Sequence, residues 1–150
     1  MTTSDQRDSK VTEMYETLIE YLSKLDNSDY GKWHVDTEHK GTEEDSFHMP
    51  FVGYERIVID LEHAIYDFVD IHPEVELTKY SEILEQNGLE WGTDSMEQTD
   101  VSSLDGRAVM ALLVGVLRAD RFCEGVLLGF LNSGTMNRWL ERLKEIDEDQ

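Results

Sequence analysis

Two arginines near the end of the chain have the spacing and the side-chain chemistry to bind an anion. Arg118 and Arg121 are three residues apart, so on a helix they share a face and can clamp a carboxylate or phosphate with their planar guanidinium groups. Asp120 and Glu124 lie close by in sequence and could instead hold both arginines in ion pairs that fix a corner between two helices. Because arginine–carboxylate networks are commonly structural, the sequence favours this architectural interpretation.

The single cysteine, Cys123, would need a neighbouring base to act as a nucleophile. Its neighbours Phe122, Val126 and Leu127 predict that it is buried, as free cysteines commonly are. One cysteine excludes an intrachain disulfide and a cysteine-rich zinc site. The sequence has no Gly-x-Ser-x-Gly elbow, phosphate-binding loop or dinucleotide fingerprint. We therefore assign no catalytic residue and no cofactor, and the sequence favours a protein that is not an enzyme.

The segment 30–53 contains several histidines and carboxylates, which are potential metal ligands. His34 and His39 are five residues apart, and the chain has no His-Glu-x-x-His motif. Carboxylates near histidines are expected by chance in a chain this acidic, so we predict no metal site. The potential ligands of this segment are His34, Asp36, Glu38, His39, Glu43, Glu44 and His48, and Glu62 and His63 lie on the second predicted helix.

The charge balance restricts the partners that the protein can have. Thirty-three acidic residues oppose thirteen basic ones, and the formal net charge is -20. This argues against binding to nucleic acid, which requires a basic patch, and against attraction to anionic membranes. An acidic surface that maintains solubility, in a salt-tolerant host for example, and a basic protein partner both remain open. The N-terminus lacks the apolar region of a signal peptide and no apolar run reaches about 18 residues, so we predict a cytoplasmic protein.

Apolar residues recur at helical spacing and predict an all-α single domain of about six helices. The fourth helix is apolar on nearly every face over residues 109–117, which is typical of a central helix covered by its neighbours. We expect a disordered lead-in at residues 1–9, the helical domain at 10–146 and a solvated tail at 147–150. The helices are predicted at residues 10–26, 54–70, 79–87, from Ser102 or Ser103 onward, 123–132 and 135–146.

The segment 30–53 lacks a helical period and is long for a connection inside a domain. Residues 32–35 and 46–49 could pair as a small hairpin around the polar turn between them. Residues 92–99 are predicted to form a polar loop. If the 30–53 segment closes over the arginine corner, an aromatic wall with converging basic groups would form a small-anion site. The candidate ligand-binding residues are then Arg118, Arg121, Glu124, Trp33, His34 and His48.

The run from Leu117 to Leu127, then Ser133-Gly134 and residues 139–143, resembles the C-terminal signature of a bacterial and archaeal family of uncharacterised proteins, domain-of-unknown-function family 6508. Its characteristic Arg-x-x-Arg-Phe-Cys-Glu/Asp-Gly pattern is matched over residues 118–125. A Met-Pro-aromatic step at residues 49–51 is also similar. The resemblance implies a helical fold and brings no reaction, ligand or cofactor with it.

Two hypotheses about function follow from the sequence. The first is a helical accessory or regulatory module that acts through a protein partner, because the surface is acidic and catalytic motifs are lacking. The alternative is a small-anion-binding protein, or an unrecognised enzyme, with its site at the Arg118/Arg121 corner under the 30–53 segment. The oligomeric state is not determined by the sequence.

Overall fold

The computed structural model describes residues 14–25, 29–35, 38, 41–42 and 49–149, which form a mainly helical domain with one small hairpin. This confirms the predicted all-α fold class. None of the described helices combines the length and hydrophobicity that a membrane span requires. The elements are α1 (Glu16–Ile19), α2 (Tyr21–Leu25), β1 (Gly31–His34), β2 (Phe51–Tyr54), α3 (Arg56–Ile71), α4 (Tyr80–Gln86), α5 (Thr93–Glu97), α6 (Gly106–Phe122), α7 (Val126–Asn132) and α8 (Thr135–Asp149), with 3₁₀ turns at Pro73–Val75, Leu77–Lys79 and Val101–Ser103.

Helix α6 is the centre of the fold, as its apolar sequence predicts. All its side chains from Ala108 to Leu117 are buried, because α3, α4, α7 and α8 pack around it. The start of this helix differs from the prediction. Asp105 is the N-cap, and its carboxylate accepts a hydrogen bond of 2.9 Å from the Ala108 amide. Ser102 instead lies in a 3₁₀ turn whose amide is bonded to Asp100.

The helices around α6 bury the apolar stripes that the sequence shows. In α3 the buried residues recur at three- and four-residue steps, and in α8 Trp139, Leu140 and Leu143 are fully buried. The predicted polar loop at 92–99 is wrong in part, because α5 forms there and buries Met96 beneath α6. A single apolar residue in a polar segment gives no periodic signal, which explains why the sequence missed this helix.

The two ends of the described chain meet. The N–H of Tyr15 donates to Oδ2 of Asp147 over 3.0 Å, and Asp147 is 6% exposed. Residues 147–149 therefore continue α8, in which Asp147 is buried whereas Glu148 and Asp149 are exposed, as expected for the tail. Burial, with Asp147 and then Asp105 nearby, raises the pKa of Tyr15 to about 12. The predicted helix at 10–26 forms α1 and α2 with a turn at Glu20 between them, and the predicted lead-in at 1–9 lies outside the described residues.

The hairpin forms, with a different second strand from the one predicted. β1 pairs antiparallel with β2, so that Gly31 faces Tyr54 and His34 faces Phe51. The predicted partner at 46–49 is wrong: Met49 precedes β2, and residues 46–48 lie outside the described part of the chain. Residues 51–54 alternate between the two faces of the hairpin. Tyr54 is therefore the last residue of a strand and not the first residue of α3.

A substitution at Gly106, the first residue of α6, tests how tightly the N-terminal segment packs against this helix. A Cβ atom on Gly106 would overlap the hydroxyl and ring of Tyr15, whose ring is held by stacking on Phe68 at 5.5 Å. We expect Gly106→Ala to lower the free energy of unfolding by about 1–3 kcal/mol because the site is already filled. Urea denaturation followed by circular dichroism measures the change.

The matched control is Gly129→Ala in α7, where a Cβ atom meets open space. This variant should raise the free energy of unfolding by about 0.5–1 kcal/mol, since alanine is the better helix former. Equal effects of the two substitutions would contradict the packing described here.

Candidate functional site

The signature run at 118–125 forms the corner between α6 and α7. The chain becomes extended at Cys123, and Gly125 then adopts a left-handed conformation with φ of 93° as the N-cap of α7. The indole of Trp33 occupies the place that a Cβ atom on Gly125 would need. Glycine is therefore required here twice, for its backbone angle and for the close approach of the hairpin.

Asp120 joins this corner to the hairpin. Its Oδ1 atom accepts hydrogen bonds from the hydroxyl of Tyr54 at 2.9 Å and from the Leu127 amide at 3.0 Å. The Leu128 amide in turn donates to the Tyr54 hydroxyl at 3.2 Å. Burial and the hydrogen bond to Asp120 raise the pKa of Tyr54 well above its usual value, so its hydroxyl stays protonated. Two amides of the first turn of α7 are thereby satisfied.

Glu124 makes a second link between the corner and the hairpin. Its Oε2 atom accepts a hydrogen bond of 2.8 Å from the backbone amide of Val52 in β2. A carboxylate that accepts from an amide forms a charge-assisted bond, which is stronger than a neutral one. The two carboxylates that we expected to pair with the arginines therefore hold the hairpin and α7 instead.

The two arginines of the corner do not pair with its two carboxylates. Within the described residues, neither Arg118 nor Arg121 forms an ion pair or a hydrogen bond. Arg118 lies over the ring of Tyr66 with its Cζ atom 5.8 Å from the ring centroid, a distance at which a cation is attracted to the ring. The ion pairs with Asp120 and Glu124 that the architectural interpretation assumed are therefore not formed, although the corner itself is architectural.

Both arginines face a cleft of about 670 Å³ between β2, α3 and the end of α6. Its residues on α6 recur at helical spacing, which brings their side chains to one face. Polar and charged groups dominate the walls, and the apolar contribution comes from Val52 and Leu117. The lining residues are Val52, Tyr54, Glu62, His63, Tyr66, Leu117, Arg118, Asp120, Arg121 and Glu124.

Glu62 is a partly buried carboxylate in the wall opposite α6. Burial raises its pKa, and the charge of Asp120 raises it further, whereas His63 and Arg121 act in the opposite direction. Glu62 forms no hydrogen bond and no ion pair within the part of the chain that the structure describes. The cleft thus contains groups of both charges that do not pair with one another.

Comparison with known proteins gives a family and no activity. Residues 11–149 match a family of unknown function, DUF6508. The chain belongs to this family. The matched range includes every residue of the cleft. No curated protein and no solved structure shows significant similarity to the chain.

The other candidates from the sequence have different positions. Trp33 packs on Gly125 beside the corner and is 48% exposed. His34 stacks on Phe51 at 4.9 Å on the opposite face of the hairpin, and it is not among the described residues that line the cleft. His48 lies outside the described residues. The sequence analysis named Glu62 and His63 only as potential metal ligands, and it did not select Tyr54 or Tyr66, because nothing in their spacing indicates that α3 faces the arginines.

The cysteine and the candidate metal ligands do not form a reactive or metal-binding site among the described residues. Cys123 is exposed, contrary to the prediction, and the adjacent Phe122 is 82% exposed. Phe122 is the last residue of α6, and the backbone is extended at Cys123, so Cys123 does not continue the buried face of that helix. Among the described residues, no three histidine, cysteine or carboxylate side chains are grouped to hold a metal. Of the metal-ligand candidates in the hairpin segment, only His34 and Glu38 belong to the described part.

The Tyr54 hydroxyl should stabilise the corner measurably. Tyr54→Phe leaves the Leu128 amide without its acceptor and removes one donor from Asp120. We expect the free energy of unfolding to fall by about 1–3 kcal/mol, the usual result of leaving a partly buried polar group unpaired. Chemical denaturation gives this value.

The control for this prediction is Tyr66→Phe, which removes a hydroxyl with no hydrogen bond to any described residue. Its effect should stay within about 0.5 kcal/mol. If Tyr54→Phe is equally mild, the corner does not depend on the Tyr54–Asp120 bond.

Proposed function

We propose that the protein binds a small molecule with an anionic group in the cleft that contains Arg118 and Arg121. The observation that carries this proposal is that both guanidinium groups line the cleft without a hydrogen-bonding or ion-pairing partner among the described residues. In a chain with 33 acidic and 13 basic residues, carboxylates are plentiful. Among the described arginines, Arg118 and Arg121 are the two that have neither a hydrogen bond nor an ion pair.

The surroundings of the arginines favour a ligand. Arg118 is partly buried and lies against the ring of Tyr66, which limits the directions in which its guanidinium group can point. Arg121 is one helical turn further on and exposed. Two planar, multidentate donors on one face suit a carboxylate or phosphate. The cleft volume of about 670 Å³ falls within the range of small-molecule sites.

A second candidate function is binding to a protein partner, the hypothesis that the sequence favoured. Its support is a set of exposed apolar side chains beside the corner and on the hairpin. Phe122 is the most exposed of them, and aromatic residues and methionine are enriched at the centres of protein interfaces. The exposed apolar residues of this region are Trp33, Val35, Met49, Phe51, Trp91 and Phe122.

The anion proposal predicts that each arginine contributes to affinity. Wild-type protein titrated with inorganic phosphate, and separately with butyrate, should show saturable shifts of amide resonances around the cleft in ¹H–¹⁵N spectra. Arg118→Gln and Arg121→Gln should each weaken binding about tenfold, since each removes a charge-assisted hydrogen bond. The spectra also report whether each variant is folded.

The matched control for the arginine variants is Arg138→Gln, which removes the same charge from α8, where the guanidinium group is bonded to the Glu97 carbonyl. Its affinity for both anions should equal that of the wild type. Shifts that never saturate, or an equal loss in Arg138→Gln, would refute the proposal.

The partner hypothesis predicts a dependence on Phe122. A tagged protein incubated with lysate of the native host should retain a partner that Phe122→Ser loses, because the interface would lack its apolar contact. Ile71→Ser, at a position 70% exposed at the end of α3, is the control and should retain that partner. Proteins recovered equally by a charge-matched acidic protein, or equally by both variants, would rule out this interface.

A further inference from the structure

The cleft contains a negative pole opposite its arginines. Glu62 projects from α3, is partly buried, and has no hydrogen bond or ion pair with any described residue. Arg118 and Arg121 are on α6 across the same cleft and are likewise unpaired. A structural ion pair would bring these opposite charges into contact. The fold instead keeps them apart across an open space.

Glu62 is the carboxylate of the cleft that faces the arginines from another helix. Asp120 is on α6 with the arginines, and its Oδ1 atom accepts both of the hydrogen bonds that hold the corner. Glu124, the third carboxylate of the cleft, is engaged with the Val52 amide. The charges of Asp120 and Arg121 act on the pKa of Glu62 in opposite directions. Glu62 therefore has both of its oxygen atoms available to a ligand.

We infer that the cleft binds a dipolar small molecule, whose carboxylate contacts Arg118 and Arg121 and whose ammonium group contacts Glu62. The ligand class is that of an amino acid, with its two charged ends separated by the width of the cleft. This inference rests on the proposed function and names the ligand class for the same site. It adds one requirement, a cationic end on the ligand, that anion binding alone does not need.

A dipolar ligand is favoured because a ligand with one charge leaves the opposite charge of the cleft unpaired. A simple monoanion pairs with the arginines but leaves Glu62 partly buried and unpaired, which is unfavourable for a carboxylate. A simple amine pairs with Glu62 and leaves the arginines unpaired. A dipolar ligand satisfies both poles and brings no net charge into a protein whose formal charge is -20.

Matched ligand pairs test the inference on the wild-type protein, so that no variant needs to fold. Acetate is compared with glycine, propionate with β-alanine and butyrate with γ-aminobutyrate, at neutral pH in the same ¹H–¹⁵N titration. The members of each pair differ by one ammonium group, and the series increases the distance between the two charged ends. For the pair that fits, we expect the amino acid to bind about tenfold more tightly than the acid, the effect of one charge-assisted hydrogen bond.

A variant assigns this advantage to Glu62. In Glu62→Gln, the amino acid should bind no more tightly than its acid, while binding of the acid itself is retained. Glu82→Gln, at an exposed position on α4, has the same change of charge and should keep the wild-type preference. Butylamine is the control for the acidic pole alone, and it should bind more weakly than the best amino acid.

The outcomes separate this inference from the proposed function. If the acids bind and no amino acid binds more tightly than its acid, the dipolar inference is wrong and the anion proposal stands. If neither phosphate nor any acid or amino acid gives saturable shifts, both fail. A preference that survives Glu62→Gln, or butylamine that binds as tightly as the best amino acid, also overturns the inference.

Discussion

The hydrogen bonds that Asp120 and Glu124 accept from other elements are the constraint on which the candidate site depends. The first amides of α7 and the Val52 amide of β2 are donors that no helix or strand bond of their own element satisfies, and such groups require partners when water is excluded. Asp120, with the Tyr54 hydroxyl, and Glu124 supply those partners at 2.8–3.2 Å. One corner thereby fixes the position of a hairpin, a helix start and one wall of the cleft.

This arrangement has a consequence for the arginines. A carboxylate oriented by backbone and hydroxyl donors is held in a direction set by those donors. Asp120 and Glu124 consequently hold the corner without contacting Arg118 or Arg121, although all four residues occur within one short run. The same interactions that stabilise the corner leave two guanidinium groups free to face the cleft. The stability of the corner and the availability of the arginines therefore have one structural origin.

The sequence predicts those parts of the fold that depend on local periodicity. Helices α3, α6 and α8 each bury a stripe, or a whole surface, of apolar residues, and their approximate positions follow from that pattern. The errors occur where the contacts of a single residue determine where an element begins or ends. Tyr54 ends a strand because its hydroxyl reaches Asp120, and Asp105 caps α6 in place of Ser102. Neither outcome can be read from a periodic pattern, since both depend on the geometry of neighbouring segments.

The candidate site was predictable in part for the same reason. The spacing of Arg118 and Arg121 places them on one face, and this follows from the sequence alone. The hydrogen-bond partners of the neighbouring carboxylates do not follow from the sequence. The Val52 amide lies 72 residues before Glu124, and the Tyr54 hydroxyl lies 66 residues before Asp120. Glu62 was noticed only as a potential metal ligand beside His63, because it is one of 33 acidic residues. Only the packing of α3 against α6 distinguishes it from the others.

The exposure of Phe122 and Cys123 shows how composition can mislead at a corner. An apolar residue next to a buried helix predicts burial when the helix continues, since the periodic face then includes it. Here the backbone becomes extended at Cys123, so that Gly125 can begin α7 in a left-handed conformation. Phe122 is the last residue of α6, and the chain changes direction immediately after it. The turn that creates the arginine cleft therefore also creates the exposed aromatic surface.

The net charge of the protein acts on any ligand of this cleft. A formal charge of -20 repels anions, and screening confines most of this repulsion to within about 8 Å of the surface at physiological ionic strength. The arginines attract an anionic group only over the last part of its approach. A polyanion such as nucleic acid meets this repulsion along its whole length, whereas a dipolar molecule without net charge meets almost none. The acidic surface and the separated charges of the cleft thus favour the same class of ligand, one that is charged at both ends and neutral as a whole.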